Sequence, residues 1–183
     1  NPATGNNDPS RYDFTSRIGF EIPGVTINKK YGTFAREFDT DFSDYFTVKG
    51  NSKVAAFVAG TNIRPGSGDY GTSTYHVHMT SIDEKGGNTS YSYVPANTGV
   101  LLKVLDQEQT STGFYYTIGE QDSQTYNVTD NIMTGVTVNY QSVAATATGP
   151  VYVMRDGLFR KATTIIPNFT VHKAYMKTGP LPS

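Results

Sequence analysis

The sequence predicts an all-β fold: an antiparallel β-sandwich in a single domain of about a dozen short strands. Three observations lead there. Apolar residues recur with period two along most of the chain, which sets alternate side chains on opposite faces of a strand. Stretches rich in Gly, Pro, Asn and Asp interrupt those runs at roughly 8 to 15 residue spacing, the rhythm of strands joined by turns. No segment sustains a 3.6-residue period over about ten residues, the length an ordinary helix needs.

The elements follow in chain order. Residues 17–22 (RIGFEI) alternate, with Ile18, Phe20 and Ile22 on one face. Strands are expected at 31–38 (YGTFAREF), 53–59 (KVAAFVA), 74–80 (TYHVHMT), 89–94, 99–105 and 113–118. In the third of these, Tyr75, Val77 and Met79 share one side, and His76 and His78 the other. A long β-rich run covers 135–146, and shorter strands are expected at 151–154, 158–162 and 171–177. Residues 64–71 (RPGSGDYG) and 83–88 (DEKGGN) have hairpin-loop compositions. Arg155-Asp156-Gly157 between two short strands is a tighter signal, because Asp-Gly readily takes the positive φ of a primed turn. The one helix-like piece is 129–135 (TDNIMTG), where Asp130 would cap a single turn ended by Gly135. Residues 1–16 are polar and non-periodic and are expected as a flexible leader, 17–178 as the sandwich and 179–183 as a tail.

An internal echo links two segments. VPANTGVLLKV at 94–104 and IPNFTVHKAYMK at 166–177 both begin with an aliphatic residue and proline, pass a small polar turn and enter an apolar run. Proline fixes φ and lacks a donor, so it suits a strand entrance. The motif therefore reads as strand-entry chemistry rather than as a ligand loop.

Five pieces in this order, YGTFAREFDTDFSD, KVAAFVAG, YVPANTGVLLK, DNIMTGV and VYVMRDGLFRKATTIIPNFTVHKAYM, resemble a β-rich module of secreted and cell-surface Bacteroidetes proteins. Such modules end leucine-rich-repeat surface proteins and secreted hydrolases. The similarity spans residues 30–177, with Asn168 where the family usually has alanine and Met154 where leucine is common. The resemblance implies a β-sandwich and export to the cell surface or medium; the polar leader would suit a lipid tether on a precursor. It implies no catalytic residues.

Composition narrows the function classes. Fifteen Lys and Arg against sixteen Asp and Glu leave a net charge of −1. The charges read as evenly scattered, without the basic stripe of a nucleic-acid binder. Cysteine is absent, which removes disulfides, thiol catalysis and Cys-ligated metals. No apolar run approaches the roughly 20 residues of a transmembrane span.

Candidate sites are few. His76 and His78 put two imidazoles on one strand face, a spacing able to chelate a metal, but zinc needs further ligands. His172 is the remaining histidine. Residues 39–44 (DTDFSD) superficially resemble a calcium loop, yet Asp44 stands at the glycine position and Gly50 at the distal glutamate position. Carboxylates such as Glu37, Asp39, Asp83, Glu84, Asp106 and Glu108 offer no selected acid–base pair. No G-x-S-x-G and no phosphate loop occur. The 13 tyrosines are the better ligand candidates, among them Tyr70, Tyr115 and Tyr152, since a ring face can carry a sugar while its hydroxyl stays wet. The sequence thus points to a non-catalytic, cofactor-free, adhesin-like surface module whose partner is another surface protein or a glycan. The alternatives are a carbohydrate-binding accessory module and a structural spacer.

Overall fold

The computed structural model describes residues 25–27, 30–42, 54–66, 75–82, 93–105, 112–114, 117–118, 126, 128–146 and 148–182. The expected leader, the strand at 17–22 and the loop at 83–88 lie outside the described residues. Strands β1 (Val25–Ile27), β2 (Tyr31–Phe34), β3 (Thr40–Asp41), β4 (Val54–Pro65), β5 (Tyr75–Ser81), β6 (Tyr93–Val94) and β7 (Val100–Val104) come first. Strands β8 (Thr112–Phe114), β9 (Thr117–Ile118), β10 (Met133–Val136), β11 (Val151–Arg155), β12 (Leu158–Lys161) and β13 (Lys173–Lys177) follow. Among the described residues there is no helix, and so none long and apolar enough to cross a membrane.

Two four-stranded antiparallel sheets carry the architecture, in the orders β2-β7-β4-β5 and β10-β13-β11-β12. The other pairings, β1-β8 and β6-β3-β9, involve strands of only two or three residues. The expectation of about a dozen short strands is therefore corrected: among the described residues eight strands make the two main sheets, and the rest are brief pairings.

The apolar runs of β4 and β7 have a direct cause. Val54, Ala56 and Val58 of β4, with Val100, Leu102 and Val104 of β7, enter one buried cluster with Phe34 and Phe42. The intervening Ala59 and Leu101 enter a second cluster with Met133, Ala174 and Met176 of the other sheet, with Phe57 packed against it. Both faces of β7 and of residues 54–59 of β4 are thus covered, and strict alternation of apolar with polar residues disappears there. On β5, at the sheet edge, alternation survives. Val77 and Met79 pack on the second cluster while His76 and His78 are exposed.

Two local expectations change. Residues 129–135 form no helical turn. Asp130 takes φ 57°, and β10 begins at Met133. The long run at 135–146 is not one strand either, because β10 ends at Val136, Tyr140 takes φ 62°, and Val143 makes only an isolated bridge to Ile166. The hairpin at 155–157 is as expected. Asp156 (φ 55°) and Gly157 (φ 78°) turn the chain so that Arg155 faces Leu158, the two-residue geometry that matches strand twist.

Candidate functional site

The echoed segments meet on one stretch of chain. After β2, residues 35–39 pass between the turn that precedes β7 and the turn that precedes β13. Asn97 donates its amide to the Arg36 carbonyl (2.6 Å), and Ala35 donates to the His172 carbonyl (3.3 Å). The Asp39 carboxylate accepts the Ala96 amide (2.8 Å). Asn97 and His172 both have positive φ, 59° and 63°. Asparagine tolerates that region better than most residues, whereas histidine there is held by its surroundings. His172 is held from both sides, since its own amide donates to the Val136 carbonyl (2.6 Å). The proline segments are strand entrances, as their sequence suggests, and also the clasp that joins the two sheets.

The ionisable groups of the clasp are Arg36, Glu37 and His172. Arg36 Nη1 lies 2.7 Å from His172 Nε2. A guanidinium has no acceptor, so Nε2 accepts and the imidazole is neutral with its proton on Nδ1. Burial lowers the His172 pKa most, the Arg36 charge lowers it further, and Glu37, 3.5 Å from Nε2, opposes both. Arg36 also stacks over the Phe38 ring at 5.5 Å and reaches Glu37 at 4.0 Å. With the Nε2 lone pair engaged by Arg36, the ring offers that atom to neither a metal nor a substrate proton.

A second polar anchor is one that sequence reasoning missed. Where β7 starts at Val100, β4 runs on without it. Asn131 fills the gap: its Oδ1 accepts from the Ala59 amide (3.2 Å) and the Met133 amide (3.0 Å), and its Nδ2 donates to the Gly99 carbonyl (2.9 Å). One side chain thereby replaces a strand residue in the ladder, and nothing in the local sequence signals it.

The other sequence-derived candidates stand apart. His76 and His78 are exposed on β5, and no cluster of three or more His, Asp or Glu suited to a metal occurs among the described residues. Tyr70 and Tyr115 lie outside the described residues. Tyr152 packs against the second core cluster, and its pKa is raised by burial and then by neighbouring Tyr75. Of the calcium-like stretch, Asp39 is engaged by Ala96, while 43–44 lie outside the described residues. An open cavity of about 470 Å³ between β4 and residues 178–182 is lined by Thr61, Ile63, Ile132, Thr178 and prolines, with no ionisable group to orient a ligand.

The charges are not evenly scattered, which corrects that expectation. Residues 131–183 contain five Lys or Arg and one acid, Asp156, a net of +4; the first 130 residues carry ten basic and fifteen acidic groups, a net of −5. Whole-chain neutrality conceals a basic sheet, β10-β13-β11-β12. Compared with known proteins, the chain matches no protein-family model, no curated protein and no solved structure.

Proposed function

We propose that this chain is a non-catalytic interaction module of an exported, surface-displayed protein, built as a single β-sandwich whose two main sheets stack over the second core cluster. The observation that carries the reading is the edge strand β5. It is seven residues long, pairs only with β4 among the described residues, and contains no Lys, Arg, Asp or Glu. Sheet edges left free of charge and proline invite a further strand, and natural proteins usually guard them. On the opposite sheet, edge strand β12 carries Arg160 and Lys161, whereas the other edge, β10, is uncharged but only four residues long, and shortness is itself a guard. A long edge strand without a charged residue suits a partner that adds an extended segment by backbone hydrogen bonds.

Two experiments test the reading. Intact cells producing the full-length precursor are treated with external protease; the module is expected to be cleaved, and complete protection would overturn export. Separately, cells displaying the module are assayed for adhesion to partner cells, alongside a His76→Lys/His78→Lys variant. Loss of adhesion in the folded variant is expected, and unchanged adhesion would overturn the role of the edge.

The carbohydrate-binding alternative has less support from tyrosines, since Tyr152 faces the core cluster. Its better support is the charge of the second sheet. A spacer would need no long, uncharged edge strand.

A further inference from the structure

The registers of the second sheet sort its side chains. Met133, Met176, Tyr152, Met154 and Phe159 face the core cluster. The alternate positions face outward. Thr134, Tyr175, Val153 and Arg160 form one row across the four strands, because Thr134 pairs with Tyr175, Tyr175 with Val153 and Val153 with Arg160. Arg155 and Leu158 pair one step along, and Val151 and Lys177 one step in the other direction. Lys173 pairs with Val136 on the same face, and the Val153–Tyr175 register carried two residues further brings Arg155 toward it.

Four cations, Arg155, Arg160, Lys173 and Lys177, therefore share this outer face. Among the described residues none of them has an ion-pair partner. Arg155, Arg160 and Lys177 are exposed, and Leu158 is 60% exposed between the two arginines. Lys173 is partly buried, and that desolvation lowers its pKa. Phe169 packs edge-on against Tyr175 (5.5 Å between ring centres), and Gly149 lies against the Lys177 side chain. The face is thus covered over β10, β13 and the Val151 end of β11, and open around Arg155, Leu158 and Arg160. Diagonal neighbours on adjacent strands stand roughly 7–8 Å apart, so Arg155 and Arg160 form a close pair with Leu158 beside them.

We propose that this outer face, led by Arg155 and Arg160, docks an acidic polysaccharide, a chain whose sugars repeat a carboxylate or sulfate. The inference rests on reading the chain as an interaction module but uses the sheet opposite to β5. Charge complementarity sets the sign of the partner: among the described residues these four cations have no ion-pair partner and the four strands carry no acid, so the face attracts an anionic polymer. The chemistry of the face selects the class. An acidic peptide gains its main-chain bonds at a sheet edge, which a sheet face cannot offer. Single-stranded nucleic acid needs open aromatic rings for stacking, and here Tyr175 is covered by Phe169. A pyranose carrying an acid group presents an apolar C–H face beside its charge, which matches Leu158 and Val153 beside Arg155 and Arg160.

The test is affinity electrophoresis of the purified chain through gels containing polygalacturonate, dextran sulfate, neutral dextran, poly-glutamate or duplex DNA. Retardation by an acidic polysaccharide, absent with neutral dextran and relieved by salt, is expected. The Arg155→Glu/Arg160→Glu variant should lose affinity by about tenfold or more, as expected when charged contacts to a linear polyanion are removed. Arg64→Glu, an equal charge change on the other sheet, should leave affinity unchanged. Far-ultraviolet circular dichroism verifies folding, and Lys177→Glu replaces the double variant should the hairpin misfold. No retardation of the parent chain, equal weakening by Arg64→Glu, or tighter capture by poly-glutamate or DNA would each overturn the proposal. Any of these leaves the β5 adhesion test untouched, so the two ideas fail separately.

Discussion

The Arg36 guanidinium donates to His172 Nε2 across 2.7 Å, joining residues 136 positions apart at the clasp between the two sheets. This contact requires a neutral imidazole, and so it makes the clasp sensitive to acid. The folded-state pKa of His172 lies below its ordinary value, so the unfolded chain binds the proton more readily. The contribution is complete above the unfolded value of about 6.5 and is lost as pH falls from there through the folded value. Thermal midpoints should fall more steeply with acid in the parent chain than in His172→Asn, which tolerates the positive φ and does not titrate. Parallel pH profiles would refute a role for this imidazole.

The close approach of the sheets depends on glycine at position 99. A Cβ there would lie 2.7 Å from the Gly135 nitrogen, 2.8 Å from the Thr134 carbonyl carbon and 3.0 Å from the Ala174 Cβ. Two of these are backbone atoms that no rotamer change can move. Gly99→Ala is expected to cost about 1–3 kcal/mol or more by overpacking. At Gly60 the nearest atom is 3.6 Å away, an ordinary contact, so Gly60→Ala should be far milder. Chemical denaturation of both variants gives the comparison.

Asn131 is expected to be intolerant of substitution. Asn131→Leu removes three hydrogen bonds and strands the Ala59 amide and the Gly99 carbonyl. At about 1–3 kcal/mol for each unsatisfied buried group, the loss should be several-fold that of an ordinary surface change. Asn131→Asp keeps both acceptor contacts but turns an oxygen toward the Gly99 carbonyl, so it should fall between. Urea midpoints of the three proteins in that order would bear this out.

The β11–β12 turn has its own requirement. Gly157 at φ 78° and Asp156 at φ 55° both occupy the left-handed region. Asp156→Asn keeps a residue that tolerates positive φ, whereas Gly157→Val should destabilise the hairpin, because a β-branched residue at positive φ is strained. Faster amide exchange in residues 151–161, out of proportion to the rest of the chain, is the expected readout.

Much of this protein is legible locally. Period-two alternation identifies β5, with its histidines turned out and its apolar residues turned in, because an edge strand keeps one wet face. Asp156-Gly157 announces its turn because backbone freedom at two positions suffices to make it. The Pro95 and Pro167 segments announce strand entrances for the same local reason. The charge division between residues 1–130 and 131–183 is also present in the sequence. It escapes a whole-chain sum, because opposite excesses cancel and only the sheet order shows that the basic excess belongs to one layer.

Other features were decided by tertiary structure alone. Periodicity reports which residues share a face, not what covers that face, so the double burial of β4 and β7 followed from the layers packed on each side. The helix-like signal at 129–135 gave way because Asn131 forms three specific hydrogen bonds with distant backbone, more than a single isolated turn can supply. The Arg36–His172 contact joins residues too far apart in the chain for any spacing rule to pair them. Local sequence fixes the conformations the backbone prefers; long-range packing chooses which of them meet, because only contact excludes water and satisfies the buried groups together.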